Sequence, residues 1–147
     1  MISDVRSPLA DQPYGAAYGQ MLERVRYEGA YPTRERAEEA VRLVLAGLGR
    51  QLTGDERVEL AACLPPEAAR VLTSQVPDAR PLTGWEFVKD LAARTGAPLA
   101  TTRWDTGSVL ATVSAQAGRA LITRVLRRLP TGWALLFGQA ELNSAAA

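Results

Sequence analysis

The chain of 147 residues has no histidine, a single cysteine and a single lysine. Histidine is the commonest general base near neutral pH, the commonest metal ligand and the middle member of a Ser-His-Asp triad, so its absence removes most familiar catalytic sets. The lone thiol, Cys63, can form neither an internal disulfide nor a thiolate zinc site. Nothing therefore asks for an oxidising compartment, and the cytoplasm is the expected location. Apolar runs are short and none approaches the roughly 18 uninterrupted residues of a membrane span, so no membrane association is expected. Residues 1–17 are broken by Asp4, Arg6, Pro8, Asp11 and Pro13, lack the apolar stretch of a signal peptide and read as a flexible tail. Alternating apolar and polar runs of useful length are also missing, which predicts no sheet.

What is present describes one globular chain: 47% hydrophobic residues, 22% charged, and a formal net charge of +1. Its strongest organising feature is internal similarity. Met21-Leu22-x-x-Val25 matches Phe87-Val88-x-x-Leu91 at an offset of 66, and Val44-Leu45-x-x-Leu48 matches Val109-Leu110-x-x-Val113 at 65. The 65-residue register continues from Leu64-Pro65 to Leu129-Pro130. These matches divide the chain into a first repeat at 18–76, a linker at 77–82 containing Asp78 and Pro81, a second repeat at 83–142, and a C-terminal tail at 143–147.

Each repeat has a helical period. Tyr18, Met21, Leu22 and Val25 form one apolar stripe, and Ala37, Ala40, Val41, Val44, Leu45, Leu48 and Leu52 form a longer one behind the cap residue Thr33. Thr53 with Glu56, and Thr83 with Glu86, have the spacing of capping boxes. Pro65 ends the third helix, and Pro66 suits the first turn of a fourth. In the second repeat a helix is expected to open at Thr101 or Thr102, its stripe interrupted by Gly107, Ser108, Thr112 and Ser114. Residues 119–129 repeat Leu121, Ile122, Val125, Leu126 and Leu129 on one face, and a short helix carries Trp133. The expected fold is all-α: about eight short helices as two pseudo-repeated four-helix units packed on each other.

The pattern Leu52-Thr53-x-x-Glu56-x-x-x-Leu60-x-x-x-Leu64-Pro65-Pro66-Glu67, preceded by Met21-Leu22-Glu23-Arg24-Val25 and the Glu38-Glu39-Ala40 helix, resembles the bacterial family of domain of unknown function 2267. The resemblance spans about residues 18–142. It implies a small helical protein with an internal duplication, and it implies no activity, cofactor or catalytic residue.

Candidate sites are few. Cys63, among Leu60, Ala61, Ala62 and Leu64 near a helix end, reads as a small, partly buried core residue, because nothing nearby would stabilise a thiolate. Glu35, Glu38 and Glu39, and Asp55, Glu56 and Glu59, are interleaved with arginines at helical spacing and read as solvated ion pairs. Gly47 and Gly49 read as close helix contacts rather than a nucleotide loop. Charge is uneven: residues 1–80 hold 10 basic and 12 acidic groups, residues 81–147 hold 7 and 4. Arg124, Arg127 and Arg128 share roughly one quadrant of a helix and form the one candidate binding patch, for a phosphate ligand or nucleic acid, unless they pair with Glu35, Glu38 or Glu39 or with a second molecule. Trp85 and Trp104, near helix starts, are candidates for a binding surface, whereas core packing is the default for all three tryptophans. The leading expectation is a non-catalytic protein-interaction or regulatory module without cofactor or metal, binding itself or another protein. Weak nucleic-acid or phosphate binding through the arginine face is less favoured, and a small-molecule pocket between the repeats is the third reading.

Overall fold

The computed structural model describes residues 14–139, and the readings for 1–13 and 140–147, including the C-terminal tail, lie outside them. Among the described residues the chain forms eight helices and no strand. They are α1 (Ala16–Glu28), α2 (Arg34–Gln51), α3 (Gly54–Cys63), α4 (Pro66–Thr73), α5 (Gly84–Thr95), α6 (Leu99–Ala117), α7 (Arg119–Arg128) and α8 (Trp133–Leu136). Helix α1 thus begins inside the segment read as a tail, with Tyr14 stacked edge-on against Tyr18 at 5.2 Å. No helix among the described residues is long and apolar enough to cross a membrane.

The local signals explain most of the boundaries. Thr33 accepts a hydrogen bond from the Arg36 amide at 3.0 Å and caps α2. Pro65 and Pro66 separate α3 from α4, with Pro66 in the first turn of α4. Thr83 and Glu86 form both bonds of a capping box, at 3.2 and 3.0 Å. Thr53 and Glu56 do not: the Thr53 side chain makes no cap bond. Gly54 takes φ +75, which turns the chain away from the geometry a capping box needs, and the Glu56 carboxylate is drawn to arginines of α7 instead.

Helix α6 also departs from expectation. It starts at Leu99 behind Pro98, earlier than a threonine cap would place it, and runs unbroken for 19 residues. Thr102, Thr106, Ser108 and Thr112 are buried, and their hydroxyls donate to the carbonyls of Pro98, Thr102, Trp104 and Ser108 at 2.7–3.3 Å. Back-bonding to the preceding turn satisfies each hydroxyl inside the protein, which is why a polar stripe can face inward. The position of α6 makes this necessary: it packs against α1, α2, α3, α5, α7 and α8, and buries residues over a broad arc.

One continuous core joins the two halves, with Leu22, Val44, Leu45 and Leu48 in the same cluster as Phe87, Leu91, Val109, Leu110 and Trp133. Gly49 lets α2 meet the end of α4, since a Cβ there would run into the Leu72 carbonyl. Gly47 likewise faces Phe87 and Leu91 of α5. Arg57 reaches back from α3 and donates to the carbonyls of Gly49, Leu52, Leu72 and Gln75, gathering the C-terminal ends of α2 and α4. Linker residues 77–82 are tied to the end of α2 by Asp78 N–H to Arg50 O at 2.7 Å and Leu82 N–H to Gln51 Oε1 at 2.8 Å.

Candidate functional site

The three arginines of the sequence-predicted patch do lie together at the end of α7, but two of them are already paired. Arg124 forks onto Glu59 and lies 3.8 Å from Glu56, and Arg128 Nε donates to Glu56 Oε1 at 2.9 Å. Their partners are on α3, not the Glu35, Glu38 and Glu39 of α2. Of those, Glu38 is taken by Arg42 and the Tyr18 hydroxyl, and Glu39 lies 4.0 Å from Arg36. The hydrogen bond from Arg128 holds the Glu56 carboxyl below the usual carboxylate range, and that from Arg124 does the same for Glu59. Arg127 is exposed and has no ionic partner among the described residues. Of the three, one uncompensated cation remains among the described residues, where a phosphate or nucleic-acid site would need a broad basic surface.

The tryptophans divide. Trp133 is fully buried, its ring 4.3 Å from that of Phe87 and its indole N–H donating to Leu82 O at 2.9 Å. Trp85 is 58% exposed beside Lys89, and Trp104 is 56% exposed. Trp104 is nevertheless fixed in place: its indole N–H donates to Gly29 O at 2.8 Å. Tyr27, two residues before that carbonyl, is 80% exposed.

Next to Trp104 in the chain, Asp105 anchors a polar cluster that was not apparent from sequence. Asp105, 5% exposed, accepts from the Tyr31 hydroxyl at 2.6 Å and from Arg36 Nη2 at 2.9 and 3.1 Å. The Arg36 guanidinium also stacks 5.0 Å from the Tyr31 ring centre. Burial and then the bond to Asp105 push the Tyr31 hydroxyl well above its ordinary pKa, so it stays a donor. The cluster clamps the α1–α2 loop onto α6, two residues beyond the Gly29 carbonyl that holds Trp104. Its available signal was that Asp105 is the one acidic residue between Asp90 and Glu141.

A second feature is a cleft of about 500 Å³ between α1, the α3–α4 junction and the C-terminal part of α6. Met21, Leu64, Pro65 and Pro66 give it apolar walls, and Gln20, Arg24 and Gln116 line it with polar groups. Cys63 also lines it, and the thiol is exposed, correcting its reading as a partly buried core residue. Helix α3 buries only Leu60, so the end of α3 turns Cys63 outward toward the cleft.

A family model described as "Uncharacterized conserved protein (DUF2267)" matches residues 18–136. The chain belongs to this family. The match runs from Tyr18 in α1 to Leu136 at the end of α8, so the DUF2267 unit takes in the Asp105 cluster, the exposed tryptophans and the cleft. No curated protein matches the chain. DUF2267 membership accounts for the helical architecture and names no substrate or partner, so the functional reading rests on the surface chemistry.

Proposed function

We propose that this DUF2267 protein is a non-catalytic protein-interaction module, acting in the cytoplasm, whose contact surface is centred on Trp104 and extends to the exposed Tyr27 at the end of α1. The observation that carries the reading is the state of Trp104, more than half exposed yet fastened by its indole N–H to Gly29 O. A large aromatic side chain that is already ordered loses little conformational freedom on binding, and exposed Trp and Tyr are the residues that dominate interface energetics. The clamp of Asp105, Tyr31 and Arg36 ties the residue after Trp104 to the α1–α2 loop and α2. A duplicated scaffold is part of this reading, supported by helix lengths of 13, 18, 10 and 8 residues followed by 12, 19, 10 and 4.

The test is a photo-crosslinking amino acid placed in living cells of the native host at the exposed neighbours Arg103 and Glu28, and at the exposed control Val58 on α3, with Trp104 and Tyr27 left in place. Discrete protein adducts at 103 and 28, absent at 58 and lost at 103 when Trp104→Ala is added, are expected. Equal adducts at all three positions, or none at 103, would overturn the reading, as would turnover of a metabolite by the purified protein. The cleft favours a second reading, a small-molecule site between α1, the α3–α4 junction and α6.

A further inference from the structure

Resting on that second reading, we infer that the cleft takes a small carboxylate with an apolar tail, bound through Arg24. Among the described residues Arg24 is the one charged residue lining the cleft, and the amide-bearing Gln20 and Gln116 line it too. Gln20 stands one helical turn before Arg24 on α1, so both project over the same wall, and Gln116 faces them from α6. A guanidinium and two amides supply the donors that a carboxylate accepts, and the fork of arginine matches its two oxygens. In the same lining Met21, Leu64, Pro65 and Pro66 offer apolar surface suited to a short hydrocarbon body. About 500 Å³ lies within the range of small-ligand sites and exceeds what a single ion requires.

Arg24 has a present partner, and it is a weak one. Its Nε lies 3.5 Å from Glu28 Oε2, with the arginine side chain 55% exposed. A solvated i,i+4 pair contributes little, so a ligand carboxylate seated against apolar walls displaces Glu28 readily. The two carboxylates compete for one guanidinium, and removing Glu28 strengthens binding.

The cleft contains its own reporter, because Cys63 is the only cysteine and lines it. The experiment measures the rate at which a thiol reagent modifies Cys63 in the full chain, with octanoate as the probe and octanol and octylamine as controls. Octanoate is expected to slow the reaction with half-effect near ~1 mM, the affinity of so small a ligand, while the controls protect far less. Arg24→Gln weakens octanoate protection about tenfold or more, and Glu28→Gln strengthens it. Gln116→Glu, at an exposed position, places a repelling charge opposite Arg24 and also abolishes protection, so the outcome does not hang on one variant. Equal protection by octanoate and octanol, or protection unchanged in Arg24→Gln, overturns the carboxylate assignment while leaving a cleft that binds apolar ligands. No protection by any of the three overturns the assignment and the small-molecule reading together.

Discussion

The carboxylate of Asp105 shows how much one buried residue can organise. It lies among the hydroxyls of an inward-facing helix and serves two donors distant in sequence, Tyr31 of the α1–α2 loop and Arg36 of α2. Removing a buried carboxylate strands its partners, which costs ~3–5 kcal/mol when both are enclosed. Arg36 keeps 30% of its side chain in water and recovers part of that loss. Asp105→Ala is therefore expected to destabilise the protein by about 2–3 kcal/mol in urea unfolding, and Tyr31→Phe, which deletes one donor, by about 1 kcal/mol. A loss below about 1 kcal/mol for Asp105→Ala would mean that Tyr31 and Arg36 turn to solvent and that the clamp is dispensable. Residue by residue, sequence legibility follows whether the environment is local. The apolar stripes of α1 and α2 were readable because periodicity alone decides them. The exposure of Cys63 and the pairing of Arg124 and Arg128 with Glu56 and Glu59 were not, since each depends on which helix is placed opposite.

At the scale of the element, the two Thr-x-x-Glu motifs separate local preference from tertiary demand. In α5 the motif closes on itself. In α3 the glutamate of the same motif is taken by Arg128 and Arg124, and the threonine makes no cap bond. Thr83→Ala should then cost about 1 kcal/mol by thermal or chemical unfolding, whereas Thr53→Ala should be close to neutral. Equal losses would show that the Thr53 hydroxyl caps α3 after all. The α3–α7 pairing has its own signature. The pKa values of Glu56 and Glu59 are lowered in the folded protein by their arginines, so at acid pH the unfolded chain binds more protons than the folded one. The contribution is complete above the ordinary value of about 4.5 and is lost as pH falls through the lower folded value. Melting temperatures of wild type and of the double variant Glu56→Gln, Glu59→Gln should differ near pH 7, with the gap narrowing as pH falls below the ordinary carboxylate value; a constant gap would assign the effect to packing rather than charge. Helix α6 was the hardest element to bound from sequence for a related reason. Neighbours on several sides erase a clean amphipathic stripe, and its buried threonines are solvated by its own backbone.

At the scale of the whole molecule, the all-α class and the number of helices followed from periodicity, but the relation between the halves could not. Sequence similarity suggested two units packed on each other, and α6 of the second half packs against α1 and α2 of the first within one continuous core. Such an arrangement makes the halves a single cooperative unit, because neither α2 nor α6 can bury its apolar surface without the other. The distribution of tryptophan allows a direct check, since Trp85, Trp104 and Trp133 all lie in the second half. Leu45→Ala opens a cavity in α2, in the first half, at a fully buried position, and should cost about 2–5 kcal/mol. If the core is shared, tryptophan fluorescence, which reports on the second half, moves to the same lower denaturant midpoint as the helical circular dichroism of the whole chain. A fluorescence midpoint that stays at the wild-type value while part of the dichroism signal is lost earlier would show two halves that unfold independently, and the shared core would then have no thermodynamic meaning.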